Sequence, residues 1–385
     1  MENDELFCLS EDWGEIKYHD EIVVYGTGRI GRRVLPALRK DFEIPFLVDQ
    51  KDAGSQVLGV DVVDIENGLD IVKSAPKKIV VATMKGAYYE IAKNLTDRGL
   101  IENVDFCIFE RFAEEWNLRW QNKCVLAKID TIITSRCTLN CRNCNIFVSC
   151  TEQKADIPLE ELRTNIDTFF KSVDFVYEYT LLGGEPFCHK QIAEILKYMG
   201  RTYGDRIGKI NLISNGTVKP YKDTLEVMKE FGISVHISDY TGAVPYQEKL
   251  AETCRFYEEN EIEHYVIQNN LWKDIVYPEL TYTSENPREH MRVCGHSTHS
   301  VDDGKLYWCD VAYAAEKFMG FASKEDDYLD LKTNKESNTK YDASINIMKY
   351  FLGEVNGNGY MSLCEKCAGI GSDNNRLVKA GEQRS

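Results

Sequence analysis

The stretch that most constrains this chain is KIDTIITSRCTLNCRNC, from Lys128 to Cys144. Its β-branched run, Ile129 to Thr134, predicts a buried strand. The strand empties into a loop carrying Cys137, Cys141 and Cys144 in a C-x3-C-x2-C spacing. Three thiolates this close do not complete a four-ligand zinc site by themselves. They can hold three corners of a cubic four-iron, four-sulfur cluster, leaving one iron open to a small molecule that accepts an electron. The competing reading is zinc completed by a His or a distant Cys, although zinc favours C-x2-C pairs.

The residues downstream of this loop bear on that choice. Leu159–Lys171 has apolar positions at helical spacing, and Val173–Leu182 reads as a strand ending in LLGGEP. Gly183, Gly184, Glu185 and Pro186 form a turn whose glycines expose backbone carbonyls. Glu185 adds a carboxylate, so the turn suits an ammonium group. The pattern repeats as a helix, Gln191–Thr202, and a strand, Lys209–Ser214, that ends in Ser214-Asn215-Gly216. A helix over Thr224–Phe231 and a strand over Ser234–Ser238 come next, and His264–Gln268 reads as the sixth strand.

With C-x3-C-x2-C, GGEP and SNG in this order, residues 125–370 resemble the radical S-adenosylmethionine (radical SAM) superfamily. The resemblance implies an α/β fold built on an open, partial (β/α)6 radical SAM barrel, with its chemistry at the C-terminal strand ends. It also implies that a [4Fe-4S] cluster on Cys137, Cys141 and Cys144 reduces bound S-adenosylmethionine to a 5′-deoxyadenosyl radical. In the family, GGEP holds the methionine amino group, which falls to Gly183, Gly184, Glu185 and Pro186 here. Ser214 and Asn215 match side chains that reach the ribose hydroxyls, and His236 or Ser238 would point toward the cofactor. There is one departure: the residue before the third cysteine, aromatic and close to the adenine in the family, is Asn143. The adenine contact then passes to Phe147 or to backbone.

Further along, Cys294 and Cys309 are spaced C-x9-G-x4-C around Gly304, and Cys364-x2-Cys367 closes the set. This resembles the SPASM and twitch extensions of radical SAM enzymes. Four thiolates close an auxiliary four-iron cluster completely; the same set also permits a four-cysteine zinc site. A full SPASM domain carries more cysteines, and none comes after Cys367, so the twitch arrangement is the better match.

Ahead of the barrel, EIVVYGTGRIGRRVLPALRK reads as a strand (Glu21–Tyr25), a glycine turn and an amphipathic helix. Gly26, Gly28 and Gly31 fit G-x-G-x-x-G, and Asp49, at the end of a second strand (Pro45–Asp49), stands where a ribose-binding acid would. Strands at Lys78–Ala82 and Phe106–Phe109 and a helix near Ala87–Arg98 complete a small Rossmann-like parallel sheet. The turn can hold a pyrophosphate at its helix N-terminus, or the glycines serve only close packing. Gly26, Gly28, Gly31 and Asp49 are thus candidate contacts for a nucleotide or nucleotide-linked sugar. Ala113–Lys123 reads as a helical connector. The expected domains are 1–118 (Rossmann-like), 119–285 (barrel), 286–372 (twitch/SPASM-like) and 373–385 (flexible tail), with Ser323–Lys340 a solvated loop or weak helix.

The sequence has 385 residues, a net charge of −16 and no block of Lys and Arg, which argues against nucleic acid and anionic membranes as partners. It contains no long apolar run and no secretion signal, so a cytoplasmic location is expected. Its thirteen cysteines then read as ligands and buried thiols, not as a disulfide framework. Among the remaining cysteines, Cys188 and Cys150 lie close enough to the motifs to donate a hydrogen atom, although a core thiol is the plainer reading of each. The expected activity is hydrogen abstraction from a carbohydrate or nucleotide-linked sugar, ending in oxidation or, with a thiol donor, epimerisation. An electron donor such as flavodoxin or ferredoxin is implied. The alternatives are a SPASM-type peptide maturase, which would begin with a winged-helix recognition domain, and a zinc-stabilised binding protein. Tyr240, Gln268, Asn269, Arg292 and His296 are candidate pocket residues.

Overall fold

The computed structural model describes residues 7–74, 77–276, 282–294, 299–334, 339–353 and 357–384. It divides into two compact units: Met1–Ala127 with Val173–Glu178, and Lys128–Ser172 with Tyr179–Ser385.

The first unit holds strands β1 (Val23–Tyr25), β2 (Leu47–Val48), β3 (Gln56–Val57), β4 (Val60–Val63), β5 (Ile79–Val81) and β6 (Phe106–Ile108). They form one sheet in the order β3-β4-β2-β1-β5-β6, parallel except for β3. Short runs of Val and Ile buried on both faces make this the interior of a doubly covered sheet. The helix Arg29–Asp41 turns Val34, Leu35 and Leu38 inward. Sequence reading missed the β3–β4 hairpin, whose turn is Leu58-Gly59 with both residues at positive φ (51° and 79°). Hairpins of this kind are signalled by Asn or Asp before the Gly, and Leu58 hides the signal. The connector is helical as expected, with a π-helical turn over Phe112–Trp116 between Phe109–Arg111 and Asn117–Gln121. Arg33 and Glu178 form an ion pair inside this unit, both largely buried.

The second unit contains most of an eight-stranded sheet in the order β11-β10-β9-β8-β7-β13-β14-β15, the first residues of β7 and β8 being counted with the first unit. Its strands are β7 (Val125–Thr134), β8 (Phe175–Gly183), β9 (Ile207–Ser214), β10 (Ser234–Asp239), β11 (His264–Gln268), β13 (Ser300–Asp302), β14 (Lys305–Tyr307) and β15 (Tyr328–Asp330). Helices Leu159–Ser172, Ile192–Tyr203, Lys222–Glu230 and Gln247–Glu259 link β7 through β11. β9, β10 and β11 pair in parallel, and β13 pairs in parallel with β7.

Three expectations are corrected by this topology. His264–Gln268 is the fifth strand of the β/α series, not the sixth; the far side of β7 is occupied by β13, through Ser300 opposite Asp130. Part of Ser323–Lys340 is neither solvated loop nor weak helix, since β15 adds to β14; the short helix Leu331–Asn334 that follows fits the helical alternative, with Leu331 fully buried. Nor is 373–385 a free tail. β16 (Leu377–Lys379) pairs antiparallel with β12 (Leu271–Lys273), and Ala380 is buried. Three residues, Leu377-Val378-Lys379, are too short a run to announce a strand, and only its partner, far away in sequence, reveals the pairing.

Candidate active site

β7 and β8 are neighbours in the sheet, and their ends interlock through glycine. Gly184 N donates to Thr134 O (2.8 Å) and Glu185 N to Arg136 O (2.7 Å). A Cβ on Gly183, whose φ is +146°, would lie 2.3 Å from Thr134 O; one on Gly184 would lie 2.2 Å from Arg136 O. The two glycines therefore let the β8 end lie against the backbone that leads into Cys137, which is a closer constraint than exposed carbonyls alone.

Glu185 is fully buried. Its carboxylate accepts from Ser214 Oγ (3.0 Å to each oxygen), Asn215 N (2.8 Å) and Phe187 N (3.3 Å). Burial raises its pKa to about 7, against the pull of the Asn215, Ser214 and Phe187 bonds. Ser214 and Asn215 are thus engaged with their own site: Ser214 with Glu185, and Asn215 through its Nδ2 with Thr138 Oγ1 (3.1 Å) and Cys137 Sγ (3.6 Å). Ile237 lies beside Gly216, so strand alternation puts His236 and Ser238 on the opposite face of β10. Ser238 bonds the Tyr240 phenol, and His236 packs on the Tyr265 ring at 4.8 Å.

The cysteine loop is ringed by donors to sulfur. Leu139 N reaches Cys137 Sγ (3.5 Å), and Gln383 Nε2 reaches Cys141 Sγ (3.4 Å). Burial pushes the Cys137 thiol up to about 12 and Cys141 to about 11, and raises Cys144 as well. Neutral thiols under this many donors suit a cationic group that displaces their protons and takes them as thiolates. Among the described residues, no three His, Cys, Asp or Glu side chains gather around a single metal ion; a cubane spaces its thiolates more widely than one ion does. The donor set fits a cluster of that kind. Phe147, at φ +55° and nearly fully buried, closes the turn after Cys144.

Cys188 lies just past GGEP in a short 3-10 turn, Pro186–Cys188, capped by Glu185. Burial raises its thiol, with Glu185 and Asp156 adding to the effect and Arg136 opposing it. Cys150 lies close enough to Cys144 to raise that thiol further. Cys150 thus lies beside the loop, whereas the charged groups that act on Cys188 are Glu185, Arg136 and Asp156. Tyr240 is held up by burial first and then by the charges of Cys141 and Cys144. Sequence reading missed Tyr246, whose hydroxyl donates to Asn215 O (3.1 Å) and accepts from Tyr240 N (2.9 Å), tying the β9 end to the β10 end. Asn269 bonds backbone at Asp239 and Ile267, Gln268 is exposed at the β11 end, and Arg292 forms an exposed pair with Glu289 (2.7 Å). His296 lies outside the described residues.

Cys294, Cys309, Cys364 and Cys367 line a single cavity together with His290 and Trp308. Gly369 N donates to Cys367 Sγ (3.3 Å) and Ile370 N to Cys294 Sγ (3.4 Å). Burial pushes Cys367 up to about 12 and raises Cys309 and Cys364. The arms carrying these cysteines are tied by Tyr350. Its hydroxyl accepts from Trp308 N (2.8 Å) and donates to Asp327 O (2.9 Å), while Asp327 Oδ1 accepts from Ser362 N (2.7 Å). Four sulfurs around one cavity fit a fully ligated cluster.

In the first unit, the glycine turn answers to packing. A Cβ on Gly31 would lie 1.9 Å from Gly26 O, and one on Gly26 2.8 Å from Ala82 O; Gly28 faces open space. Asp49 accepts from Thr27 N (2.9 Å) and Lys51 N (2.8 Å). Burial raises its pKa, but these N–H donors outweigh that and leave the carboxyl below its usual range. Asp49 therefore occupies a turn N–H that a phosphate would use.

Residues 131–249 match the family model described as Radical SAM superfamily. No curated protein matches the sequence. Among solved structures, BtrN in complex with AdoMet and 2-DOIA is 14% identical, with a TM-score of 0.37, covering 63% of this chain and 92% of that one. Native anSMEcpe with bound AdoMet is 12% identical, with a TM-score of 0.40, covering 62% and 83%. Streptococcus suis SuiB bound to precursor peptide SuiA is 16% identical, with a TM-score of 0.27, covering 59% and 58%. At these identities and TM-scores, the likenesses say nothing of this chain's substrate.

Proposed function

Because residues 131–249 match the Radical SAM superfamily model, we propose that the protein uses S-adenosylmethionine to abstract hydrogen from a carbohydrate or nucleotide-linked sugar, in an oxidation or an epimerisation. The observation that carries the cofactor reading is the interlock of the GGEP backbone with the residues leading into Cys137. Cys137, Cys141 and Cys144 would hold a [4Fe-4S] cluster. Once bound, that cluster supplies the electron that cleaves S-adenosylmethionine to methionine and a 5′-deoxyadenosyl radical.

The chain's own groups set the geometry. Glu185, buried and oriented by Ser214 and Asn215, offers its carboxylate to the methionine ammonium, a pairing that is strong because the site excludes water. Tyr246 fixes the spacing of the two strand ends beside it. Cys188 keeps its S–H because burial raises the thiol, and an S–H bond is what a hydrogen-atom donor needs for epimerisation. The cavity of Cys294, Cys309, Cys364 and Cys367 would hold an auxiliary cluster, and a flavodoxin or ferredoxin would be the external electron donor. A β/α unit ahead of the barrel supports the sugar reading over the peptide one.

The test is 5′-deoxyadenosine release by anaerobically reconstituted protein with reductant, across nucleotide-linked sugars and matched peptides. Release above the uncoupled level with one sugar supports the proposal, and product mass separates oxidation from epimerisation. Stimulation by a peptide alone overturns the sugar reading.

A further inference from the structure

The segment past Cys367 runs from the auxiliary cysteines back to the first cysteine loop. After β16, Ala380 N donates to Asn270 O (3.0 Å), and Gly381, at φ +74°, brings its backbone against Tyr240. The chain then lies antiparallel along the loop. Arg142 N donates to Glu382 O (2.6 Å) and Arg384 N to Asn140 O (2.8 Å), with a bridge between Cys141 and Gln383. The Gln383 side chain works in both directions: its Oε1 accepts from Asn140 N (2.7 Å), and its Nε2 donates to Cys141 Sγ (3.4 Å) and Gly381 O (2.7 Å).

We propose that Gln383 is a positioning residue for the cluster on this loop, fixing Cys141 and tuning the cluster's reduction potential through its amide N–H. The inference rests on the cluster reading of Cys137, Cys141 and Cys144 and is independent of the substrate. An N–H directed at a ligating sulfur stabilises negative charge there, and a reduced cluster carries one more electron than an oxidised one. The bond therefore favours the reduced state and raises the potential. Pairing of the flanking backbone holds the donor in place, so the effect belongs to the side chain.

The test compares Gln383→Met and Gln383→Glu with the unaltered holoprotein, reading the midpoint potential of the electron-spin signal that responds to S-adenosylmethionine, and iron release to a chelator. Gln383→Met removes the donor at similar length; on the order of a tenfold loss in the reduction equilibrium is expected, a 59 mV lowering for one electron, with faster iron release. Gln383→Glu keeps the acceptor for Asn140 but turns a carboxylate toward the sulfur, so its midpoint falls further. A Gln383→Met protein whose midpoint and iron release match the unaltered protein overturns the proposal while leaving the cluster reading intact. Unaltered protein with no iron signal responsive to S-adenosylmethionine overturns both.

Discussion

Glu185→Gln separates the stability of the site from its binding role. The folded-state pKa of Glu185 is about 7, against an ordinary value of 4.5. A raised carboxyl pKa means that the folded protein holds the proton more tightly than the unfolded chain does. Its contribution to stability is fully present below pH 4.5 and is lost as pH rises through about 7. At 1.36 kcal/mol per unit, the shift corresponds to about 3 kcal/mol of destabilisation on the alkaline side. Gln removes the charge and keeps an acceptor for Asn215 N, but its amide nitrogen meets Phe187 N and forfeits that 3.3 Å bond, a loss of about 1 kcal/mol. The variant should therefore be more stable than the unaltered protein by roughly 2 kcal/mol near pH 8, with the advantage vanishing near pH 5. Urea unfolding of the cluster-free proteins at the two pH values measures this. S-adenosylmethionine binding to the holoprotein should weaken by roughly 30-fold, about 2 kcal/mol, because the ammonium loses its carboxylate. A variant no more stable near pH 8, with unchanged affinity, would refute both the buried charge and its assigned partner.

Gly184→Ala should block cluster assembly, because Cβ would stand 2.2 Å from Arg136 O; iron content after reconstitution reports it. Cys364→Ala combined with Cys367→Ala should retain about half the iron of the unaltered protein and still cleave S-adenosylmethionine without substrate; loss of all iron contradicts two separate sites. In the first unit, Gly31→Ala should cost about 1–3 kcal/mol by overpacking, while Gly28→Ala should change stability by less than about 0.5 kcal/mol. Comparable losses at both positions in urea unfolding would count against the packing account of the turn. Arg33→Met removes the buried cation paired with Glu178 and should cost about 3–5 kcal/mol, a fall in melting temperature that any calorimetric scan would register.

The sequence showed what local chemistry dictates. Cys137, Cys141 and Cys144, the GGEP turn and Ser214-Asn215 stand at strand ends because short runs of β-branched residues announce the strands. The glycine motif near Gly26 was equally visible, yet its meaning was not: that Gly31 answers Gly26 O and Asp49 answers Thr27 N are facts of packing. Gln383 was illegible for a different reason. It lies 242 residues from Cys141, and nothing in a polar, Gly-containing stretch announces a partner so distant. Tyr246 escaped because it acts on backbone atoms, which carry no sequence signature.

The Tyr350 hydroxyl, shared between Trp308 and Asp327, has a bearing on how this protein matures. Many small metal sites are unfolded until the ion arrives, and their metal affinity is folding free energy in disguise. Here Trp308 and Ser362, each next to or close to a sulfur-bearing residue, are already joined by buried hydrogen bonds within the polypeptide. These bonds offset part of the conformational entropy of gathering those arms. A group held by the four cysteines would then draw on a frame that the polypeptide itself supports, and its loss should leave more of the fold standing than in a zinc finger.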